Sequence, residues 1–308
     1  MKTTIKKEPK FTNLLDFHKF FPDEKACREY VVNMRWGGKP VCVHCGSMRK
    51  IYSIKDGKIL TCADCRRQFT VRVGTIFEDS ALPLQKWFLA IYIFMAHKKG
   101  ISSVQLGKDI GVTQKTAWFM LHRIRFAVRT RSLLKPLEGI IEADETYVGG
   151  KPRFKGQSKT GRGTKKTPVF GIKQRDGVVR AEMVEHVDRN TLQSLLKRDV
   201  SEDATIMTDE WTAYNGLKKH FASHKRVNHG RKEYVRGSTH TNSIESFWAL
   251  FKRGYVGTYH SMSPKHLNKY IDEFEFRLNS KDITDPARLS AMLNVCEGRL
   301  TYNQLINA

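Results

Sequence analysis

The stretch GIIEADETYVGG, Gly139–Gly150, decides how the chain is read. Successive side chains of a strand point to opposite faces, so Ile141 and Ala143 share one face while Glu142 and Asp144 share the other, and Glu145 falls back with the apolar pair. Burying acids in a sheet is costly unless they are paired or bind a cation. This strand is therefore expected to carry chemistry as well as core.

Downstream, TPVFGIKQ and VVRAEMVEHV read as strands joined by a hairpin at Asp176-Gly177. NTLQSLLKRDV then reads as a helix, ATIMTDE as a strand ending in Asp209 and Glu210, and WTAYNGLKKH as a second helix, giving the order βββαβα. TNSIESFWALFKRG, Thr241–Gly254, is a third helix, with Ile244, Phe247, Trp248 and Phe251 on its apolar face and Asn242, Glu245, Ala249 and Lys252 opposite. Lys252 lies seven residues beyond Glu245. At 1.5 Å per residue the two are about 10.5 Å apart along the axis, too far for an i,i+4 ion pair. Such a pair can divide labour, the acid on a metal and the lysine on a phosphate. Between the first two strands, Lys151, Arg153, Lys155, Lys159, Arg162, Lys165 and Lys166 follow one another with no acid among them, as expected of an arm that clamps DNA.

Upstream, Cys42 and Cys45 form one CxxC and Cys62 and Cys65 a second, with 16 residues between the pairs. Two such knuckles close a tetrahedral Cys₄ shell for one structural Zn²⁺, leaving no position open for water. IYSI and KILT flank Asp56-Gly57, so the spacer reads as a hairpin with a two-residue turn and the whole as a zinc ribbon. His44 within the first knuckle reads as a loop residue, and Arg49, Lys50, Arg66, Arg67 and Arg72 around the ribbon are candidate DNA contacts. Next, Leu84, Trp87, Phe88, Ile91 and Met95 recur at helical spacing. SSVQLGKDIGVTQKTAWFMLHRIR then outlines a helix-turn-helix, with a turn at Gly111 and an N-cap at Thr113. The second helix of that motif enters the major groove by its N-terminal end, here Gln114 and Lys115, with Arg123 further along.

The 308 residues carry 54 Lys+Arg against 31 Asp+Glu, a net charge of +23. Residues 1–135 hold 26 of the bases and 10 of the acids, a net of +16, which leaves +7 for the rest. Such a surplus favours a polyanion, nucleic acid before an anionic membrane. The longest apolar run, Trp87–Ala96, is half the roughly 20 residues of a spanning helix. MKTTIKKEPK lacks a secretory apolar stretch, so a cytoplasmic protein is expected, with no membrane partner. With 40% hydrophobic residues the chain can bury more than one core, excluding a disordered basic tail.

Asp144 on a first strand, Asp209 at a later strand end and Glu245 on a helix, with 35 residues between the last two, resemble the DDE triad of RNase H-like transposases. Lys252 resembles the basic residue that often follows the last acid. Together with the ribbon, EADETYVGGK, TDEWTAY and HTNSIESFWALFKRG resemble the ISXO-like insertion-sequence transposases from Phe17 through Arg277. The resemblance implies an α/β multidomain protein: an N-terminal helical segment (1–38), the zinc ribbon (39–80), helix-turn-helix-like helices (81–135), an RNase H-like mixed-sheet catalytic domain (136–285) and a C-terminal tail (286–308). It implies two Mg²⁺ or Mn²⁺ ions on Asp144, Asp209 and Glu245, with Asn242 as the alternative third position, and Lys252 and Arg253 on the DNA backbone. It also implies double-stranded DNA as substrate and a homodimer or higher oligomer on it. A DNA-binding regulator with a silent sheet domain and a non-integrating nuclease are the alternatives.

Overall fold

The computed structural model of the chain describes residues 10–129, 135–150, 166–228 and 235–307. It divides into two units, one of residues 1–128 with 282–308 and one of residues 129–281. The chain thus leaves the first unit, builds the second, and returns.

In the first unit, α1 (Leu14–Phe20) and α2 (Glu24–Trp36) are each started by a side-chain cap, Asn13 and Asp23, and α2 is ended by Gly37 at φ 61°. The ribbon follows as β1 (Ile51–Ile54), β2 (Ile59–Cys62) and β3 (Gln68–Phe69), antiparallel in the order β1-β2-β3. Ile54 pairs with Ile59, so the turn spans four residues rather than the expected two, with Lys55, Asp56 and Gly57 all at positive φ. α3 (Leu84–Ala96) buries Trp87, Phe88, Ile91 and Met95 as its spacing requires, and also Tyr92, Ile93 and Phe94. α4 (Ser103–Ile110) and α5 (Gln114–Ala127) form the helix-turn-helix, capped by Ser102 and Thr113 and separated by Gly111 at φ 62°. Gly107 makes the tight turn possible, since a Cβ there would stand 3.0 Å from the Val112 carbonyl oxygen. The expected tail is instead two helices, α9 (Asp285–Asn294), packed on α2 and α3, and α10 (Tyr302–Ile306).

The second unit is a five-stranded mixed sheet of β4 (Ile140–Val148), β5 (Thr167–Gln174), β6 (Val179–Met183), β7 (Thr205–Thr208) and β8 (Ser223–Arg226), ordered β6-β5-β4-β7-β8. β4 is antiparallel to β5 and parallel to β7. α6 (Arg189–Asp199) covers one face through Leu192 and Leu196 against Ile141, Ala143 and Ile206. α7 (Asn242–Gly254) and α8 (Pro264–Asn279) cover the other, with Ile244, Phe247, Trp248, Phe251, Ile271 and Phe274 against Val169, Val179 and Ala181. WTAYNGLKKH does not form a helix: two 3₁₀ turns, Thr212–Tyr214 and Leu217–Lys219, are split at Gly216, φ 94°. β8 follows them, a strand the sequence reading did not contain.

Candidate active site

Glu142 pairs with Met207 across the parallel β4–β7 ladder. That is the last pair of the ladder: Asp144 stands two residues beyond it on β4, and Asp209 two residues beyond it, just past the end of β7. Asp209 follows the last residue of β7, and its Oδ1 accepts the Trp211 N–H at 3.0 Å, which fixes the turn leaving the sheet. In the antiparallel direction Asp144 pairs with Gly171. A Cβ on Gly171 would stand 2.5 Å from Trp248 Cζ2 and 3.2 Å from Ile244 Cδ1, so glycine lets α7 lie directly on the sheet beside Asp144. Glu245, next after Ile244, is exposed, and its Oε1 accepts the Thr241 hydroxyl at 2.8 Å. Asn242, Lys252 and Arg253 are exposed on the same helix.

The two other acids of β4 are held in opposite ways. Glu142, on the α7 face with Asp144, is 0% exposed. Its carboxylate accepts from the Ser243 N–H at 2.7 Å, the Ile244 N–H at 3.1 Å, the Ser243 hydroxyl at 3.1 Å and Arg175 Nη2 at 2.9 Å. Glu145, on the α6 face, accepts from the hydroxyl of Tyr214 at 2.7 Å. Burial, followed by the charges of Glu145, Asp144 and Asp209, pushes the Tyr214 phenol far above its ordinary range and so keeps it protonated as a donor. Tyr214, Arg175 and the cap supplied by Glu142 escaped the sequence reading, though Tyr214 closes the TDEWTAY string and the cost of a buried Glu142 announced that it needed partners.

Carboxylate oxygens are the hard donors that Mg²⁺ and Mn²⁺ take, and Asp144, Asp209 and Glu245 bring one carboxylate from each of three elements. Among the described residues, however, the four cysteines are the one group of three or more potential ligands whose donor atoms all lie within 4.8 Å of one another. Cys42 Sγ is 3.6 Å from Cys65 Sγ, and Cys45 Sγ is 3.7 Å from Cys62 Sγ. A tetrahedron with Zn–S bonds of 2.3 Å has edges of about 3.8 Å, whereas a disulfide is about 2.05 Å. Burial opposes the Cys42 thiolate, but the Cys45 and His44 N–H groups and neighbouring thiols outweigh it and lower its pKa to about 6. His44 turns away, its Nε2 3.2 Å from the Gln68 carbonyl oxygen. Cys27 and Cys296, outside the cluster, are buried, and burial raises both thiols.

Of the basic candidates, Arg66, Arg67, Gln114 and Lys115 are exposed, and Lys166 is half-buried. Gln114 donates to Ser103 Oγ at 2.9 Å, and Lys115 Nζ sits 5.2 Å from the centre of the Tyr302 ring. Two expectations need correction. Arg123 is 3% exposed and donates to the Ile76 carbonyl oxygen at 2.8 Å and the Leu300 carbonyl oxygen at 3.0 Å, so it ties α5 to its own unit instead of facing outward. Arg72 likewise donates to Ser80 and Leu82 carbonyl oxygens and pairs with Glu24 at 2.8 Å. Lys151, Arg153, Lys155 and Lys165 lie outside the described residues. No described helix is long and apolar enough to cross a membrane.

Comparison with known proteins gives these geometries a setting. Residues 136–279 match the ISXO2-like transposase domain, and residues 22–68 match a transposase zinc-ribbon domain. A protein of the transposable element ISH50 of Halobacterium salinarum is 31% identical over 276 residues, covering 84% of this chain and 92% of the relative. A transposase-like protein of Haemophilus influenzae is 26% identical over 118 residues, covering 38% of this chain and 93% of its own length. Among solved structures, the Mos1 strand transfer complex aligns at 13% identity over 73% of this chain and 82% of that one, with a TM-score of 0.28, too low to bear on the site.

Proposed function

Because the chain belongs to the ISXO2-like transposase family, we propose that it binds the terminal inverted repeats of an insertion sequence and catalyses divalent-metal-dependent cleavage and strand transfer of double-stranded DNA. The observation that supports the proposal is that Asp144 and Asp209 each follow the Glu142–Met207 pair of parallel β4 and β7 by two residues, with α7 seated on the sheet so that Glu245 follows the residue packed at Gly171.

Asp144, Asp209 and Glu245 would hold two Mg²⁺ or Mn²⁺ ions, Asn242 being the alternative third position. Bound there, the ions would activate the attacking oxygen and stabilise the leaving one in an in-line displacement at phosphorus. Tyr214 holds Glu145 on the far face of β4. Lys252 and Arg253, exposed at the end of α7, would take the DNA backbone, positioning without reading sequence. Gln114 and Lys115 would present base-reading groups at the start of α5, and Arg66 and Arg67 would add phosphate contacts from the ribbon. The four cysteines would hold one structural Zn²⁺. Synapsis of two ends would require at least a dimer.

Incubating the purified chain with a supercoiled plasmid bearing a pair of element ends, with Mg²⁺ or Mn²⁺, tests the proposal. Nicked ends and joined products are expected. Binding without any nick would instead identify a regulator, and cleavage without joints a nuclease.

A further inference from the structure

α7 begins without a cap of its own: Thr241, its N-cap residue, makes no side-chain capping bond. The N–H groups that a cap would satisfy are taken from across the fold by Glu142 of β4, which accepts from Ser243 N at 2.7 Å and Ile244 N at 3.1 Å. A carboxylate at this point also meets the positive end of the α7 macrodipole. Arg175, at the end of the β5–β6 hairpin, completes the strut. It donates to Glu142 Oε1 through Nε at 3.2 Å and Nη2 at 2.9 Å, and through Nη1 to the Ser238 carbonyl oxygen at 2.9 Å, gripping the segment that leads into α7.

Glu142 therefore ties three things together: the strand carrying Asp144 two residues on, the helix whose first turn carries Glu245, and the approach to that helix. A surface helix set only by apolar packing can slide along its partner by fractions of an ångström. One pinned by backbone hydrogen bonds to a fully buried carboxylate cannot do so without leaving donors and a charge unpaired. We propose that Glu142 is a positioning residue that fixes the separation between the carboxylates of Asp144 and Glu245, and so sets how tightly the divalent ion is held. This rests on the assignment of those acids as metal ligands.

Among the described residues, every group at hydrogen-bond distance from the Glu142 carboxylate, on Arg175 just after β5, on α7 and on its leading segment, is a donor or the ring of His240. Glu142→Gln would turn an amide NH₂ toward donors, and the first turn of α7 would lose its anchor. Removing one partner of a buried pair also strands the other, so the single variant loses stability for that reason alone. Glu142→Gln/Arg175→Gln removes the stranded charge and keeps the question measurable should the single variant not fold.

The test uses the full chain, with Mn²⁺ alone as probe. Bound Mn²⁺ is followed by electron paramagnetic resonance, with melting temperature and binding to an element-end duplex measured alongside. In both Glu142 variants the Mn²⁺ dissociation constant is expected to rise about ten- to a hundredfold, the usual loss when a residue orienting a metal ligand is removed, while end binding stays unchanged. Adding Arg175→Gln should recover melting temperature without recovering Mn²⁺ affinity. Wild-type Mn²⁺ affinity in the double variant, or affinity that returns in step with melting temperature, would overturn the proposal and reduce Glu142 to a stabilising ion pair. Asp144→Ala serves as reference: if it binds Mn²⁺ as the wild type does, the metal-site assignment itself fails, whatever Glu142 does.

Discussion

His224 shows how one residue near the candidate site carries a consequence that can be measured. It is 7% exposed on β8, with Nε2 3.0 Å from Thr208 Oγ1. The Thr208 hydroxyl donates to the Asp209 carbonyl oxygen at 2.7 Å, so the imidazole donates to it through Nε2. Burial first, then the charges of Arg226 and Lys218, lower its pKa from 6.5 to about 4. The unfolded chain therefore binds a proton that the folded chain refuses between these values. The stability concerned is complete above pH 6.5 and is lost as pH falls toward 4, by at most about 3 kcal/mol at 1.36 kcal/mol per unit. His224→Gln retains an N–H near the same point and cannot titrate. Thermal unfolding of the full chain from pH 7 to 4 should show the variant losing less stability than the wild type, and parallel losses would exclude His224 as the cause.

At the scale of elements, the seating of α7 on the sheet depends on Gly171. Gly171→Ala puts a Cβ 2.5 Å from Trp248 Cζ2, and either the helix or the indole must move. Overpacking of this kind costs about 1–3 kcal/mol. The melting temperature should fall and Trp248→Phe, which removes the outer ring, should restore much of it; a neutral Gly171→Ala would mean that the contact is soft. The elements also show what the sequence could disclose. The Ile244–Phe251 stripe, the Cys pairs and the Thr113 cap are legible because each is a local pattern with one structural solution. β8 is not, because SHKR is a short edge strand that buries only His224 and has no alternation to read. The 3₁₀ turns after Asp209 are not legible either, because Tyr214 and Leu217, both buried, stand at a helical spacing although Gly216 intervenes. Asp144, Asp209 and Glu245 could be singled out as residue types in order. The bonds of Glu142 to Arg175 and the start of α7, and of Tyr214 to Glu145, could not, because they join residues up to 102 positions apart.

At the scale of the whole molecule, the chain's return to its first unit changes the meaning of the C-terminal residues. α9 packs against α2 and α3, the Tyr302 ring lies 5.5 Å from that of Phe119, and the Leu300 carbonyl oxygen accepts from Arg123. Leu289, Met292, Leu293 and Leu305 are buried there. Removing residues 282–308 would take these side chains away, uncover the faces of α2 and α3 on which α9 packs, and leave the Arg123 guanidinium without one of its acceptors, so the truncated chain should lose binding to element-end DNA and aggregate. Undiminished end binding by the truncated chain would show that α9 and α10 are dispensable to the first unit. The +23 charge also acquires a layout at this scale: one unit has exposed bases at α5 and the ribbon, and the sheet unit carries Asp144 on β4, Asp209 just after β7 and Glu245 on α7.

The central claim, that Asp144, Asp209 and Glu245 form a divalent-metal centre for DNA cleavage, is tested most directly by changing each to Ala and measuring Mg²⁺-dependent cleavage of a labelled element end alongside its binding. Cleavage should fall by at least a thousandfold in each variant while end binding stays within about twofold, as expected for electrostatic stabilisation confined to the transition state. Wild-type cleavage in the Asp144→Ala or Asp209→Ala variant, with binding intact, would contradict the account; cleavage surviving in Glu245→Ala and lost in Asn242→Ala would move the third position to Asn242.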